Sequence, residues 1–295
     1  MTGLTLGEQM ASATAALQAA GVSFGHGTTN ARDEAAWLVL WSLGLPLDSA
    51  LGNEADSVHR RPVTPAERER IAALIAQRIS TRQPAAYLTH EAWLAGVPFY
   101  VDERAIVPRS LIAELIAHAG IDPWLSVGTR QVLDLCTGNG SLAILAAMAW
   151  PEIAVTGADL SPDALAVARI NVDKHQLRER VSLVESDGLA ACPGPWDLIL
   201  CNPPYVNAQS MAQLPPEYRA EPPLALAGGE DGMDFIRRLL QDAPSRMSEE
   251  AVLVLEIGHE RAHFEAAFPW LPVVWMDTST GSDQVLLITR QALLI

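Results

Sequence analysis

The sequence predicts an α/β protein: a doubly wound parallel sheet, preceded by a small helical domain and joined to it by a β-hairpin linker. Three observations carry this. From Gln131 onward, short apolar runs rich in branched side chains alternate with helix-length stretches, the signature of strand-helix-strand units whose sheet is covered on both faces. Residues 1–82 show only helical spacing of apolar positions, and Pro84 to Arg109 switches to short alternating runs.

Taken in order, helices are expected over residues 5–20, 31–43 and 65–80, separated by Gly/Pro/Asn/Asp clusters at Gly25 to Asn30, Gly44 to Asp48 and Gly52 to Asp56. The third helix has the clearest start. Thr64-Pro65-Ala66-Glu67 supplies an N-cap, a proline at the first helical position and a glutamate placed to reach back to the cap. The hairpin falls on Ala92-Trp93-Leu94-Ala95 and Pro98-Phe99-Tyr100-Val101, divided by Gly96, and Leu111 to Ala119 returns to helical spacing. Strands are then expected at Val132–Leu135, Ala154–Ala158, Val181–Glu185, Leu198–Cys201, Val252–Ile257 and near Gln284–Thr289. Helices are expected at Ser141–Ala149, from Ser161-Pro162-Asp163 to about Lys174, at Met233–Arg246 and at Glu260–Phe268. The organisation is thus a helical domain over 1–82, a hairpin linker over 83–110 and a sheet domain over 111–295.

Composition narrows the class of function. Of 35 acidic residues only eight lie in residues 1–90, against seven arginines, so the rest of the chain carries 27 acids against 13 basic residues. An acidic sheet domain repels a phosphate backbone and attracts basic polypeptides, which makes naked nucleic acid a poor substrate. The three cysteines, Cys136, Cys192 and Cys201, form no paired motif; free thiols of this kind fit a cytoplasmic location. The N-terminus lacks a basic leader region, and the longest apolar run, Leu142 to Trp150, is too short to cross a bilayer. No leader and no membrane association are expected.

The stretch that carries the chemistry is Asn202-Pro203-Pro204-Tyr205, which follows the expected strand ending at Cys201. Open α/β sheets bind ligands at the carboxyl ends of their strands. Two prolines stop the strand, fix two φ angles and remove two N–H donors, so the local carbonyls become rigid acceptors. The Asn202 side-chain oxygen adds another acceptor, and Tyr205 a flat ring able to stack on a planar group. Two acceptors match the two N–H bonds of a carboxamide or an aryl amine. Alone, the tetrapeptide is also ordinary turn punctuation; its company decides.

That company is Asp134-Leu135-Cys136-Thr137-Gly138-Asn139-Gly140, between the first expected strand of the sheet domain and its helix. Glycines there let the backbone approach a ligand, and a helix N-terminus offers free N–H groups. Asp159, in Asp159-Leu160-Ser161-Pro162, ends the next strand about 20 residues later, the spacing at which an acid meets ribose hydroxyls. Together these form a nucleoside cofactor site. The Gly138-x-Gly140-x-x-Ala143 run is compatible with a nicotinamide dinucleotide, but three features favour S-adenosyl-L-methionine. Asp134 is placed for a cationic amino group, Asp187 in Ser186-Asp187-Gly188 for the adenine amine, and the amine-accepting tetrapeptide has no use in hydride transfer.

Asp134-Leu-Cys-Thr-Gly-Asn-Gly, Asp159-Leu-Ser-Pro, Ser186-Asp187 and Asn202-Pro-Pro-Tyr-Val together resemble the protein-(glutamine-N5) methyltransferases, from about Arg82 to the C-terminus. The resemblance implies a Rossmann-like class I S-adenosylmethionine-dependent sheet, S-adenosyl-L-homocysteine as cofactor product, and a protein substrate that presents a glutamine in an exposed loop. It implies catalytic roles for Asn202, Pro203, Pro204 and Tyr205. Cofactor binding is implied for Asp134, Cys136, Thr137, Gly138, Asn139, Gly140, Asp159, Leu160, Asp187, Gly188 and Asn202. Val107-Pro108-Arg109-Ser110-Leu111, Phe99-Tyr-Val-Asp-Glu-Arg104 and Pro216-Glu-Tyr-Arg-Ala-Glu-Pro222 look like the branch that modifies the third large-subunit ribosomal protein, free or in an assembling subunit, rather than the release-factor branch. At Leu94-Ala95-Gly96 the chain departs from the family, which usually has an aromatic residue two before this glycine; Tyr87, Trp93 and Phe99 are the substitutes at hand.

Two rivals remain at this stage. An amino-methyltransferase acting on nucleic-acid bases would use the same tetrapeptide, against the acidic balance. His259-Glu260-Arg261-Ala262-His263 matches the short zinc-peptidase helix motif, with no third ligand in evidence.

Overall fold

The computed structural model describes residues 4–52 and 57–295; most of the loop expected at Gly52 to Asp56, and the first three residues of the N-terminus, lie outside the described residues. The chain forms two compact units, one of residues 1–91 with Pro215–Ala220, the other of Ala92–Leu214 with Glu221–Ile295.

The first unit is built from α1 (Leu6–Ala19), α2 (Ala31–Ser42), α3 (Pro65–Thr81) and the short α4 (Ala85–Thr89). Capping sets where they begin. Thr5 with Glu8, and Thr64 with Glu67, form reciprocal capping boxes at α1 and α3, and the Asn30 side chain accepts from Asp33 N at α2. α3 ends where Arg82 adopts a left-handed φ of 59°, and α4 carries the unit on to Glu91, past the expected limit at Arg82. Leu6, Met10, Ala13 and Leu17 line one face of α1 and bury it.

At the centre of this unit lies a charge network. The Arg78 side chain is 0% exposed and donates to Glu34 Oε1 at 2.8 Å, to Glu217 Oε1 at 3.4 Å and to Ser23 O at 2.9 Å. Arg82 adds a bond to the same Glu217 oxygen at 3.2 Å. Beside it His26 stacks on Tyr218 with ring centroids 4.2 Å apart. Gly25 is required there: it sits at φ +128°, and a Cβ on it would meet the Tyr218 hydroxyl at 2.2 Å.

The second unit opens with the hairpin of β1 (Ala92–Leu94) and β2 (Val97–Phe99), turned by Ala95 and Gly96 at positive φ. Then follow α5 (Ile112–Ala117), β3 (Gln131–Leu135), α6 (Ser141–Ala149), β4 (Ala154–Asp159), α7 (Pro162–Lys174), β5 (Val181–Glu185), β6 (Trp196–Cys201), α8 (Ala208–Gln213), α9 (Asp234–Asp242), β7 (Met247–Glu256), α10 (Arg261–Ala267), β8 (Val274–Trp275) and β9 (Val285–Thr289). They give a seven-stranded sheet in the order β5-β4-β3-β6-β7-β9-β8. Alternation along the strands splits the core into two layers. Leu133, Leu135, Ile199, Leu253 and Leu255 face α9 and α10, while Val132, Leu198, Leu200, Val252 and Val254 face α5 and α6.

The expected all-parallel sheet is corrected at one edge. β9 pairs antiparallel with both β7 and β8. After α10 the chain crosses over to β8 and turns back, so β9 fills the gap between β7 and β8 in the reverse direction. Among the described residues no helix is long and apolar enough to cross a membrane.

Replacing Arg78 with alanine leaves Glu34 a buried carboxylate without its arginine and Glu217 with Arg82 alone. The expected cost is about 3–5 kcal/mol, read as a lower denaturant midpoint for unfolding.

Candidate active site

Register brings the sequence motifs together. β3 lies between β4 and β6, and Leu135 pairs with both Ala158 and Cys201. The three loops that leave these strands therefore start side by side at one edge of the sheet: Cys136–Gly140, Asp159–Ser161 and Asn202–Tyr205. β3 is also where the strand order reverses, the crevice at which doubly wound sheets take ligands.

The glycine loop is strained into shape. Cys136, Gly138 and Gly140 have φ of 62°, 54° and 82°, and a Cβ on Gly140 would come within 3.1 Å of Ala168, so glycine lets α6 start close against α7. Asp159 is half-buried and holds this loop: its Oδ2 accepts from Gly138 N at 2.8 Å and its Oδ1 from Ser161 N at 2.9 Å. Each of those oxygens keeps lone-pair capacity for a further donor. Leu160 next to it is 46% exposed, an apolar side chain open to a flat partner.

Asp134 is fully buried. Its Oδ2 accepts from Thr137 Oγ1 at 2.5 Å and from Ala143 N at 2.9 Å, while its Oδ1 has no hydrogen-bond partner. The Asn139 amide nitrogen is likewise buried and unpartnered. Orphaned polar atoms of this kind are costly without a partner; one stands just before the glycine loop and the other within it. Burial, opposed by the Thr137 and Ala143 bonds, pushes the Asp134 carboxyl up from 3.8 to about 7. The Cys136 thiol is held well above its ordinary range by its hydrogen bond with Cys201 and by burial, so it is no nucleophile. Asp187 is exposed, with its Oδ1 accepting from Arg238 at 3.3 Å. Gly188 beside it has φ +56° and open space where a Cβ would stand.

In the tetrapeptide Pro203 is buried, and Asn202, Pro204 and Tyr205 are half-buried. Tyr205 sits in a cradle of glycines: a Cβ on Gly228 would meet Tyr205 Cα at 2.7 Å, on Gly232 the Tyr205 carbonyl at 2.3 Å, and on Gly258 the ring at 2.5 Å. One edge of the ring is thus committed to packing against the chain. Of the residues that the family departure at Leu94 brings into question, Tyr87 and Phe99 are core residues and Trp93 is 45% exposed.

Sequence reasoning gave no role to the buried Glu221, Glu256 and Asn171, and read Glu260 only as part of the zinc-peptidase motif. Glu221 accepts from Val107 N at 2.9 Å and from both terminal nitrogens of Arg109 at 2.7 Å. Glu256 accepts from Ser110 Oγ at 2.5 Å, Leu111 N at 2.9 Å and the Tyr205 hydroxyl at 3.4 Å. Glu260 accepts from Asn207 Nδ2 at 2.7 Å and faces His263 Nδ1 at 2.5 Å. Asn171 donates to Asn139 O and Tyr100 O and accepts from Tyr100 N. One signal existed for Glu256: a charged residue ends the apolar strand Val252–Leu255, where glutamate is rarely buried without partners.

The zinc-peptidase alternative is corrected by geometry. α10 begins at Arg261, so His259 is an exposed residue ahead of the helix and does not share a helical face with His263. Glu260 is engaged with Asn207 and His263.

A doubly wound sheet whose glycine loop and Asn-Pro-Pro-Tyr tetrapeptide leave adjacent strands has the arrangement of a methyltransferase, and a family model described as the methyltransferase small domain matches residues 121–214. The chain belongs to the ribosomal protein uL3 glutamine methyltransferases. It is 52% identical over 292 residues to the Bordetella pertussis protein of that description, covering 98% of this chain and 96% of that one. The Burkholderia pseudomallei relative is 50% identical, over 90% of this chain and 88% of its own. In fold alone, the chain is similar to the catalytic domain of hMettl16 solved with an RNA hairpin, at TM-score 0.51 and 14% identity, over 76% of this chain and 81% of that one.

The Asp134 shift has a measurable sign. Its folded value, about 7, lies above the ordinary 3.8, so its contribution to stability is full below the ordinary value and is lost as pH rises through about 7. Asp134→Asn is expected to remove that falling limb from the stability of the cofactor-free protein, measured by denaturant unfolding as a function of pH.

Proposed function

We propose that this protein transfers a methyl group from S-adenosylmethionine to the side-chain nitrogen of a glutamine in ribosomal protein uL3. The observation that carries the reading is the pairing of Leu135 with Cys201, which starts the glycine loop and the tetrapeptide side by side. When bound, S-adenosylmethionine supplies an electrophilic methyl on a sulfonium and leaves as S-adenosylhomocysteine. The residues that fit it are Gly138 and Gly140, with no Cβ to obstruct approach, the half-buried Asp159 for ribose hydroxyls, the orphaned Asp134 oxygen for a cationic amino group, and Leu160 and Gly188 for the adenine.

A carboxamide nitrogen is a weak nucleophile, because its lone pair is delocalised into the carbonyl. Orientation does most of the work. Asn202 Oδ1 and the Pro203 carbonyl accept the two N–H bonds of the glutamine amide and turn its lone pair toward the methyl. As the new carbon-nitrogen bond forms, nitrogen becomes positive, and these fixed acceptors stabilise it more than they stabilise the neutral amide. The excess proton then passes to water, so no side-chain base is needed.

The substrate glutamine belongs in an exposed loop of uL3, on the free protein or an assembling large subunit, since the acidic sheet unit attracts basic polypeptide. A cytoplasmic setting fits the three free cysteines.

The test is transfer of labelled methyl from S-adenosylmethionine, with purified uL3 and a peptide release factor offered separately. Label mapped to a glutamine of uL3 alone is the expected result; label on the release factor alone would overturn the substrate. Asn202→Ala should lower kcat by about 10²-fold or more, while cofactor affinity, measured by calorimetry, changes little. Equal losses in both would remove Asn202 from the role given to it.

A further inference from the structure

The methyl-transfer reading uses Asn202 and Pro203 and leaves Glu256 without a role. Glu256 ends β7 and is 4% exposed. A carboxylate is that deeply buried only when its oxygens are occupied, and here they serve two different stretches of chain. Oε2 accepts from Ser110 Oγ at 2.5 Å and Leu111 N at 2.9 Å, and Oε1 from the Tyr205 hydroxyl at 3.4 Å.

The stretch that contains Ser110 is fixed at both of its ends. Upstream, Glu221 accepts from Val107 N and takes the Arg109 fork through both oxygens. One residue earlier, Ile106 stands over the cofactor loop: a methyl on Gly138 would lie 3.4 Å from Ile106 Cγ2. Residues 106–111 therefore run from the glycine loop to Glu256, and Glu256 continues the path to Tyr205. On the tetrapeptide side, Gly228, Gly232 and Gly258 seat the Tyr205 backbone and ring, so the hydroxyl contact fixes a side chain whose remaining freedom is already small.

We propose that Glu256 is a positioning residue: through the Tyr205 hydroxyl on one side and Ser110 and Leu111 on the other, it holds the tetrapeptide in register with the cofactor loop. It touches neither methyl donor nor amide. This rests on the methyl-transfer reading, in which the tetrapeptide aims the nucleophile. A side-chain amide is the telling replacement, because it has one acceptor oxygen where the carboxylate has two, and three donors point at the position. Glutamine keeps the shape and loses part of the grip.

The experiment compares Glu256→Gln, Tyr205→Phe and the double variant with the unaltered protein, measuring kcat and KM on uL3, cofactor affinity by calorimetry, and amide hydrogen exchange. Each single variant should lower kcat on the order of 10- to 100-fold, the cost of misplaced reacting groups. Cofactor affinity should stay within about 2-fold, and the double variant should be no worse than the weaker single one, since both cut the same link. In Glu256→Gln, exchange should quicken in the peptides that hold residues 107–112 and 203–207. Multiplying losses in the double variant, equal losses in kcat and cofactor affinity, or unchanged exchange at the amides of residues 205–207 would overturn the proposal. Should the unaltered protein fail to methylate uL3, the methyl-transfer reading falls. Exchange at both peptides then decides the mechanical link alone: quickened at both, it stands; unchanged, it falls as well.

Discussion

The constraint on which the second unit depends is parallel register. β3, β4 and β6 run in one direction and are paired so that Leu135, Ala158 and Cys201 end level with one another. β3 and β6 are buried on both faces, so their side chains are committed to two core layers and cannot slip by a residue without exchanging one layer for the other. The chemistry is placed by that rigidity. The glycine loop, Asp159 and the tetrapeptide need no long-range contact to find each other, because the strands deliver them together.

Around this edge the protein uses carboxylates as acceptors for its own backbone. Asp134 takes the Ala143 N–H, Asp159 those of Gly138 and Ser161, Glu221 that of Val107 and Glu256 that of Leu111. In each case a loop or first-turn helix N–H that has no ladder partner is satisfied by a side chain, as buried backbone groups require. The effect is an irregular stretch of chain held with the definition of regular structure. It suits a reaction whose difficulty lies in aiming a poor nucleophile.

Much of this was legible in the sequence. Strand positions followed from short branched runs such as Val181–Glu185, and the start of α3 from Thr64-Pro65-Ala66-Glu67, because these signals are local. The reversal of β9 was not, since its cause is β8, two residues long and without a readable period. The strand-end rule found Asp134, Asp159 and Asp187, yet it places residues and not side chains. Asp134 is wholly buried, and Asp187 turns to Arg238. Glu221 was illegible, and Glu256 legible only as a charge at the end of an apolar strand, for a related reason. Their donors are 112 and 146 residues away along the chain, and nothing local names the loop that such a carboxylate anchors.

The hexapeptide Pro215–Ala220 changes what the helical unit is. Its Glu217 is as buried as any core leucine and supplies a second counter-charge for Arg78, beside Glu34, and one for Arg82, although it is encoded more than a hundred residues downstream of α3. The unit is not a contiguous cassette. A chain cut after Glu91 would keep Glu34 for Arg78 but lose the carboxylate that Arg78 and Arg82 share. In this chain the helical unit is therefore complete only with both pieces, the second of which a linear reading assigns to the other half of the enzyme.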